Sequence, residues 1–155
     1  MRVTHIITRL VIGGAQENTL ATITGLRRKP GVEVKLISGP TIGPEGSLEN
    51  EARKIFSEPA EKEFTIVSEL VRPVHPLKDF LALRKLEKIL RAQRPDIVHT
   101  HSGKAGILGR LAAKRAGVPV IIHHIHGPSF GNFQGAPANF IFTAAEKRAG
   151  KITDH

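Results

Sequence analysis

The chain has 155 residues, 40% of them apolar and 24% charged, which bounds it to one globular domain with a sizeable core. The absence of Cys excludes a disulfide framework and a Cys-based zinc site, and the absence of Trp and Tyr argues against stacking platforms for single-stranded nucleic acid. A net charge of +9, from 23 basic against 14 acidic residues, points to nucleic acid, an anionic membrane face or a phosphorylated substrate, with a merely basic surface as the plain alternative.

Residues 2–8 (RVTHIIT) read as a first strand, and LVIGG at 10–14 as a turn ending in two glycines. Residues 15–26 carry Leu20, Ile23 and Leu26 near helical spacing, with Glu17 in the first turn where the helix dipole favours an acid. Residues 32–38 alternate and then turn apolar, as a second strand does. GPTIGPEG at 39–46 is a loop, and Ser47 caps a helix that runs to about Phe56. Residues 64–67 make a short third strand, followed by a Pro-punctuated loop at 71–76.

Residues 77–94 are the longest predicted helix, which Pro95 ends. Its buried face carries Leu83, Leu86 and Leu90. Leu81, Arg84, Lys88 and Arg91 share the opposite face, flanked by Lys78 and Lys85. Such a basic face with Leu77, Phe80 and Leu81 at one end suits docking on anionic lipid; a plain solvated helix would look much the same.

Residues 96–100 form a fourth strand, and His101-Ser102-Gly103 a polar turn with Ser102 at the N-cap. A helix spans 104–116 and stops at Gly117, and residues 118–122 are a nearly all-apolar fifth strand. After a loop at 127–136, a last helix covers 137–149, and residues 151–155 begin another strand. Strands apolar on both faces and joined by helices imply an α/β, Rossmann-like, doubly wound parallel sheet with helices on both faces.

Ligands of such sheets bind at the carboxyl ends of the strands. Gly13 and Gly14 lie there, ahead of a helix N-terminus, which permits close backbone approach and favours an anion. They do not spell a dinucleotide fingerprint, and a ligand-free turn fits them as well. His101-Ser102-Gly103-Lys104 lacks the spacing of a nucleoside-triphosphate loop. His99, His101, His123, His124 and His126 gather past two adjacent strand ends, without the carboxylate or Cys partners a metal would want, so no metal and no cofactor is expected. His126 stands out because it sits in a Gly-bounded loop.

With these stretches in hand, the chain resembles the N-terminal domain of a family-4 glycosyltransferase of the GT-B fold. The resemblance is carried by THIITRLVIGGAQENTL, SGPTIGPEGSL, LVRPVHPLKDFLAL and RPDIVHTHSGKAGILGRLAAKRAGVPVIIHHIHG, and it covers essentially the whole chain. It implies two Rossmann-like domains facing a cleft, the N-terminal one holding the acceptor and the C-terminal one the nucleotide-sugar. It implies that Gly13 and Gly14 line the donor diphosphate, that His126 reaches the donor sugar, and that His101, Ser102 and Lys104 face a glycan or lipid-linked acceptor. It further implies retention of anomeric configuration without a metal, at the cytoplasmic face of the membrane, with Arg84, Lys88 and Arg91 on the docking surface. The donor-binding half is not in these 155 residues, so sugar transfer is not expected from them alone. Two other readings stand beside this one: a stand-alone binding or membrane-docking domain, and half of a sugar-nucleotide epimerase. Nucleic acid is not an expected partner, and self-association through the C-terminal edge stays open.

Overall fold

The computed structural model describes residues 1–56, 63–127 and 135–155. Strand and helix alternate throughout: β1 (Arg2–Ile7), α1 (Gly14–Arg27), β2 (Glu33–Ser38), α2 (Glu49–Phe56), β3 (Phe64–Ile66), α3 (Pro76–Gln93), β4 (Ile97–His101), α4 (Gly103–Ala116), β5 (Val120–His124) and α5 (Ala136–Gly150). The five strands form one sheet in the order β3-β2-β1-β4-β5, every neighbouring pair parallel. The direction of chain travel reverses at β1, so the crevice of interest opens between the carboxyl ends of β1 and β4.

The core has two layers, one on each face of the sheet. On one side Ile7, Val34, Leu36 and Phe64 pack against Leu20 and Ile23 of α1 and Ala52 and Phe56 of α2. On the other, Ile6, Ile37, Val98 and Ile121 pack against Leu83, Leu86 and Leu90 of α3 and Ala105, Ala112 and Ala113 of α4. The small residues of α4 follow from its close seat on the sheet: a Cβ at Gly106 would strike the His123 imidazole, and one at Gly109 would lie 2.7 Å from Thr100 Cγ2.

Helix ends follow local chemistry. Ser47, expected as the cap of α2, sits one residue before the N-cap position: Leu48 O accepts the first helical N–H, from Ala52, while Ser47 Oγ accepts the Glu49 N–H at 3.2 Å from just outside the helix. At α3 the cap is a histidine: His75 Nδ1 accepts the Lys78 N–H at 3.3 Å, Asp79 Oδ2 accepts the His75 N–H at 3.1 Å, and Pro76 takes the first turn. Residues 151–155 are not a strand. They do run beside β5, with Asp154 N–H donating to Ile121 O at 2.8 Å and His123 N–H to His155 O at 2.9 Å. Most of the loop expected at 127–136 lies outside the described residues.

Gly39 follows β2 where two other backbone segments come close. Its N–H donates to Thr8 O at 3.1 Å. A Cβ there would lie 2.5 Å from Thr8 O and closer still to Leu70 O, both backbone atoms. Gly39→Ala should therefore destabilise the fold by about 2–3 kcal/mol, read as a lower urea midpoint with unchanged slope. Gly25→Ala, exposed in α1 with open space around the site, should instead stabilise by up to about 1 kcal/mol. Equal midpoints for the two variants would contradict the close approach.

Candidate functional site

β4 continues through His101 and β5 through His124, so His99, His101, His123 and His124 belong to the sheet itself, and only His126 lies past a strand end as expected. Parallel register sets His5 beside His99, and Ile7 beside His101 beside His124. Alternation along each strand then brings His5, His99, His101 and His124 to one face, the one that α1 covers over β1 and β2. His123 points to the other face, its Nδ1 2.9 Å from Thr100 Oγ1 beneath α4. His126, two residues past His124, stacks on it with ring centroids 4.1 Å apart and planes 7° from parallel.

The cluster is thus His5, His99, His101, His124 and His126. His5 takes the place that the sequence reading gave to His123. The one sequence signal for it is its position two residues before Ile7 in a strand apolar on both sides.

Three of these rings form a hydrogen-bonded chain. His5 Nδ1 lies 2.9 Å from His101 Nε2, and His101 Nδ1 lies 3.1 Å from His126 Nε2. His5 and His101 are wholly buried, His126 half-buried and His124 exposed. Burial, reinforced by His99, holds the His5 imidazole down at about 3. Burial and the neighbouring histidines bring His99 to about 4 and push His101 lower still. Burial and His124 also lower His126. The buried links are therefore neutral near pH 7, each ring carrying one N–H.

One direction of donation is favoured. His5 Nε2 is buried without a partner among the described residues. If donation ran inward from His126, that atom would carry a buried, unpaired N–H. If it runs outward from His5 through His101, only a bare lone pair is stranded, which costs less. His126 then accepts at Nε2 and keeps its proton on Nδ1.

The cluster is not shaped as a metal cage. The ligand nitrogens of His5, His99 and His101 lie within 4.8 Å of one another, as do those of His101, His124 and His126. An imidazole lone pair lies in the ring plane, however, and the nearly parallel planes of His124 and His126 share no point for an ion. His5 and His101 aim their nitrogens at each other. The arrangement suits holding one ring in one tautomer.

The remaining sequence candidates fall into place around this chain. Gly13 is the N-cap of α1, and no side chain caps that helix. Gly14 is exposed, with nothing within 4 Å of a Cβ built on it, so the α1 N-terminus is open to an anion. Ser102 occupies the N-cap position of α4 but does not cap it. At φ 61 its Oγ turns back to donate to His101 O at 2.6 Å. The capping bond comes from β1's end, where Thr8 Oγ1 accepts the Ala105 N–H at 3.1 Å. Lys104 is not a free cation: its Nζ is 2.6 Å from Asp79 Oδ1 and also donates to Pro73 O, pinning α4 to the start of α3. Arg84 and Lys88 are exposed on α3, whereas Arg91 pairs with Glu87 at 2.9 Å and donates to Arg115 O at 2.8 Å. No described helix is long and apolar enough to cross a membrane.

Residues 13–152 match the family of the glycosyl transferase 4-like domain. The chain belongs to that family. Over 87 residues, 56% of its length, this glycosyl transferase 4-like chain is 41% identical to the UDP-Gal:alpha-D-GlcNAc-diphosphoundecaprenol alpha-1,3-galactosyltransferase of Escherichia coli, of which the match is 22%. Over 52 residues, 34% of its length, it is 40% identical to a Sodalis glossinidius UDP-N-acetylglucosamine–N-acetylmuramyl-(pentapeptide) pyrophosphoryl-undecaprenol N-acetylglucosamine transferase, covering 15% of that protein. Its fold is also that of a UDP-N-acetylglucosamine 2-epimerase (TM-score 0.66, 17% identity, 99% of this chain and 40% of that one). MurG from Acinetobacter baumannii shares it too (TM-score 0.61, 17% identity, 99% and 39%). The chain thus spans about two fifths of those structures.

The neutral histidines make the glycosyl transferase 4-like domain sensitive to acid. In the unfolded chain each takes its ordinary value of 6.5, far above the folded values of His5 and His101. Below that pH the unfolded state binds protons that the folded state refuses. Their contribution to stability is therefore complete above about pH 6.5 and is lost as pH falls, by up to about 1.4 kcal/mol per unit for each buried ring. Urea stability should be flat from pH 8 to 7 and fall towards pH 4, and His5→Gln should fall less steeply. Identical slopes for the two proteins would refute the assignment.

Proposed function

We propose that this chain is the acceptor-side half of a retaining glycosyltransferase that moves a sugar from a nucleotide-sugar to a lipid-linked glycan acceptor at the cytoplasmic face of a membrane. The observation that carries this reading is the 41% identity over 87 residues to a galactosyltransferase whose acceptor is a diphosphoundecaprenol-linked sugar. Gly13, Gly14 and the uncapped α1 N-terminus support the donor diphosphate through backbone N–H groups. His126 contacts the donor sugar. Glycosyl transfer builds positive charge on the sugar ring, so a neutral imidazole can donate a hydrogen bond there without repelling that charge. His101 is the positioning residue behind it. Ser102 and Lys104 shape the acceptor side through the His101 and Asp79 bonds rather than by contact. The sugar-transfer reaction also needs a donor-side domain, and the isolated chain should bind nucleotide-sugar very weakly, since one wall of a cleft buries little ligand.

Membrane attachment belongs to the same reading. Arg84 and Lys88 offer exposed charge on α3, beside Leu77 and Phe80, which are 63% and 58% exposed. Arg91, engaged with Glu87, adds less. A second reading, half of a sugar-nucleotide epimerase, draws on the fold shared with a solved UDP-N-acetylglucosamine 2-epimerase.

The test joins this chain to a donor-side domain and offers labelled UDP-galactose or UDP-N-acetylglucosamine together with a polyprenyl-diphosphate-linked sugar. Transfer to the lipid is expected. Conversion of the UDP-sugar to its 2-epimer, with no lipid product, would replace this reading with the second. His126→Ala should cut transfer about a hundredfold or more, a loss beyond its stability cost of about 1–3 kcal/mol, which comes from the His101 N–H left without its acceptor. Gly14→Ala should leave stability within about 0.5 kcal/mol and raise the KM for donor.

A further inference from the structure

A cavity of about 390 Å³ opens on the β2–β3 side of the carboxyl end, away from the histidines, between the loops that follow β2 and β3 and the first turn of α3. Its charged lining is Arg9, Arg72 and Lys78, and its apolar lining includes Ile42 and Val71. Arg9 is neutralised in part by Glu45, at 3.1 Å. Arg72 acts on Glu45 only at a distance: a backbone hydrogen bond at Glu45 does most to lower that carboxyl's pKa, then Arg9, and Arg72 least. Arg72 and Lys78 have no carboxylate in ion-pair range among the described residues. The α3 amide groups contribute little attraction, because His75 already caps them. The cavity therefore holds a surplus of side-chain cations facing a space large enough for two phosphate groups.

Ile42 of its lining is 73% exposed, and Val74 and Leu77, chain neighbours of the lining residues Pro73, His75 and Lys78, are 62% and 63% exposed. Phe80, 58% exposed, shares the Leu77 side of α3 three residues on. Large apolar side chains left in water next to a cationic cavity match a ligand with an anionic head and a long hydrocarbon tail. We infer that the Arg72–Lys78 cavity is the subsite for the diphosphate of a membrane-anchored isoprenoid acceptor, with Val74, Leu77 and Phe80 entering the lipid beside it. This rests on the lipid-linked acceptor proposed above and adds where the acceptor's anionic group is held. The cations bind the diphosphate as charge partners, with no bond made or broken. Lys104, through Pro73 O and Asp79, fixes the wall of the cavity.

The test is cosedimentation of the 155-residue chain with phosphatidylcholine vesicles carrying either polyprenyl diphosphate or phosphatidylglycerol at matched surface charge. The wild type should bind the diphosphate vesicles about tenfold more tightly, and inorganic pyrophosphate should compete. The double variant Arg72→Ala, Lys78→Ala should lose that preference, its fold checked by circular dichroism. Arg84→Ala, Lys88→Ala should bind both vesicles less and keep the preference. Equal binding of the wild type to the two vesicles, or a preference that survives Arg72→Ala, Lys78→Ala, would overturn the subsite. If the preference is absent while the joined enzyme still glycosylates the lipid, only the subsite fails. If the joined enzyme makes no lipid product, the functional reading fails whatever the vesicles show.

Discussion

Thr8 is the joint on which the carboxyl end of the sheet depends. Its carbonyl accepts the Gly39 N–H at 3.1 Å and so fixes the end of β2 against the end of β1. Its hydroxyl accepts the Ala105 N–H at 3.1 Å and so fixes the start of α4, while lying 3.3 Å from Ser102 Oγ. One 7% exposed residue therefore ties β1, β2 and α4 at the place where the strand order reverses. Because Thr8 supplies the cap, Ser102 is released to take a positive φ and bond back to the His101 carbonyl. That turn sets the direction in which the chain leaves His101, and His101 in turn holds His126. The positioning bonds of the site thus come from β-strands and helix ends rather than from the loop that carries His126.

The fold was legible because its signals are local. Apolar runs, helical spacing, Pro95 and Gly117 mark the ends of elements whatever the rest of the chain does. All ten elements appear where the sequence places them, with ends shifted by a residue or two. What the sequence does not display is register. His5 lies 94 residues from His99 and shares a face with it only because β1 and β4 pair in parallel at that position. The same holds for Thr8 as the cap of α4, for Lys104 pinned to Asp79, and for Arg91 tied to the Arg115 carbonyl. In each case a residue type that reads locally as a cap or a free cation is claimed by a partner more than 20 residues away. The extension of β4 and β5 through their histidines has the same origin. Polar residues look like strand exits in isolation, but paired backbone and neutral imidazoles make their burial tolerable.

The electrostatics of the carboxyl end differ on the two sides of β1. Towards β4 and β5 the lining is histidine, and burial keeps His99 and His101 neutral in a protein of net charge +9. Towards β2 and β3 the lining is Arg9, Arg72 and Lys78. A uniformly basic crevice would attract phosphate everywhere and would also repel any cationic centre formed within it. On the proposed function the separation resolves that conflict. Anionic groups of the acceptor are drawn to one side by full charges, whereas the reacting sugar meets hydrogen-bond donors without a net charge. On the same proposal the donor diphosphate falls between them, at the α1 N-terminus, where the attraction would come from backbone dipoles that fade within a turn.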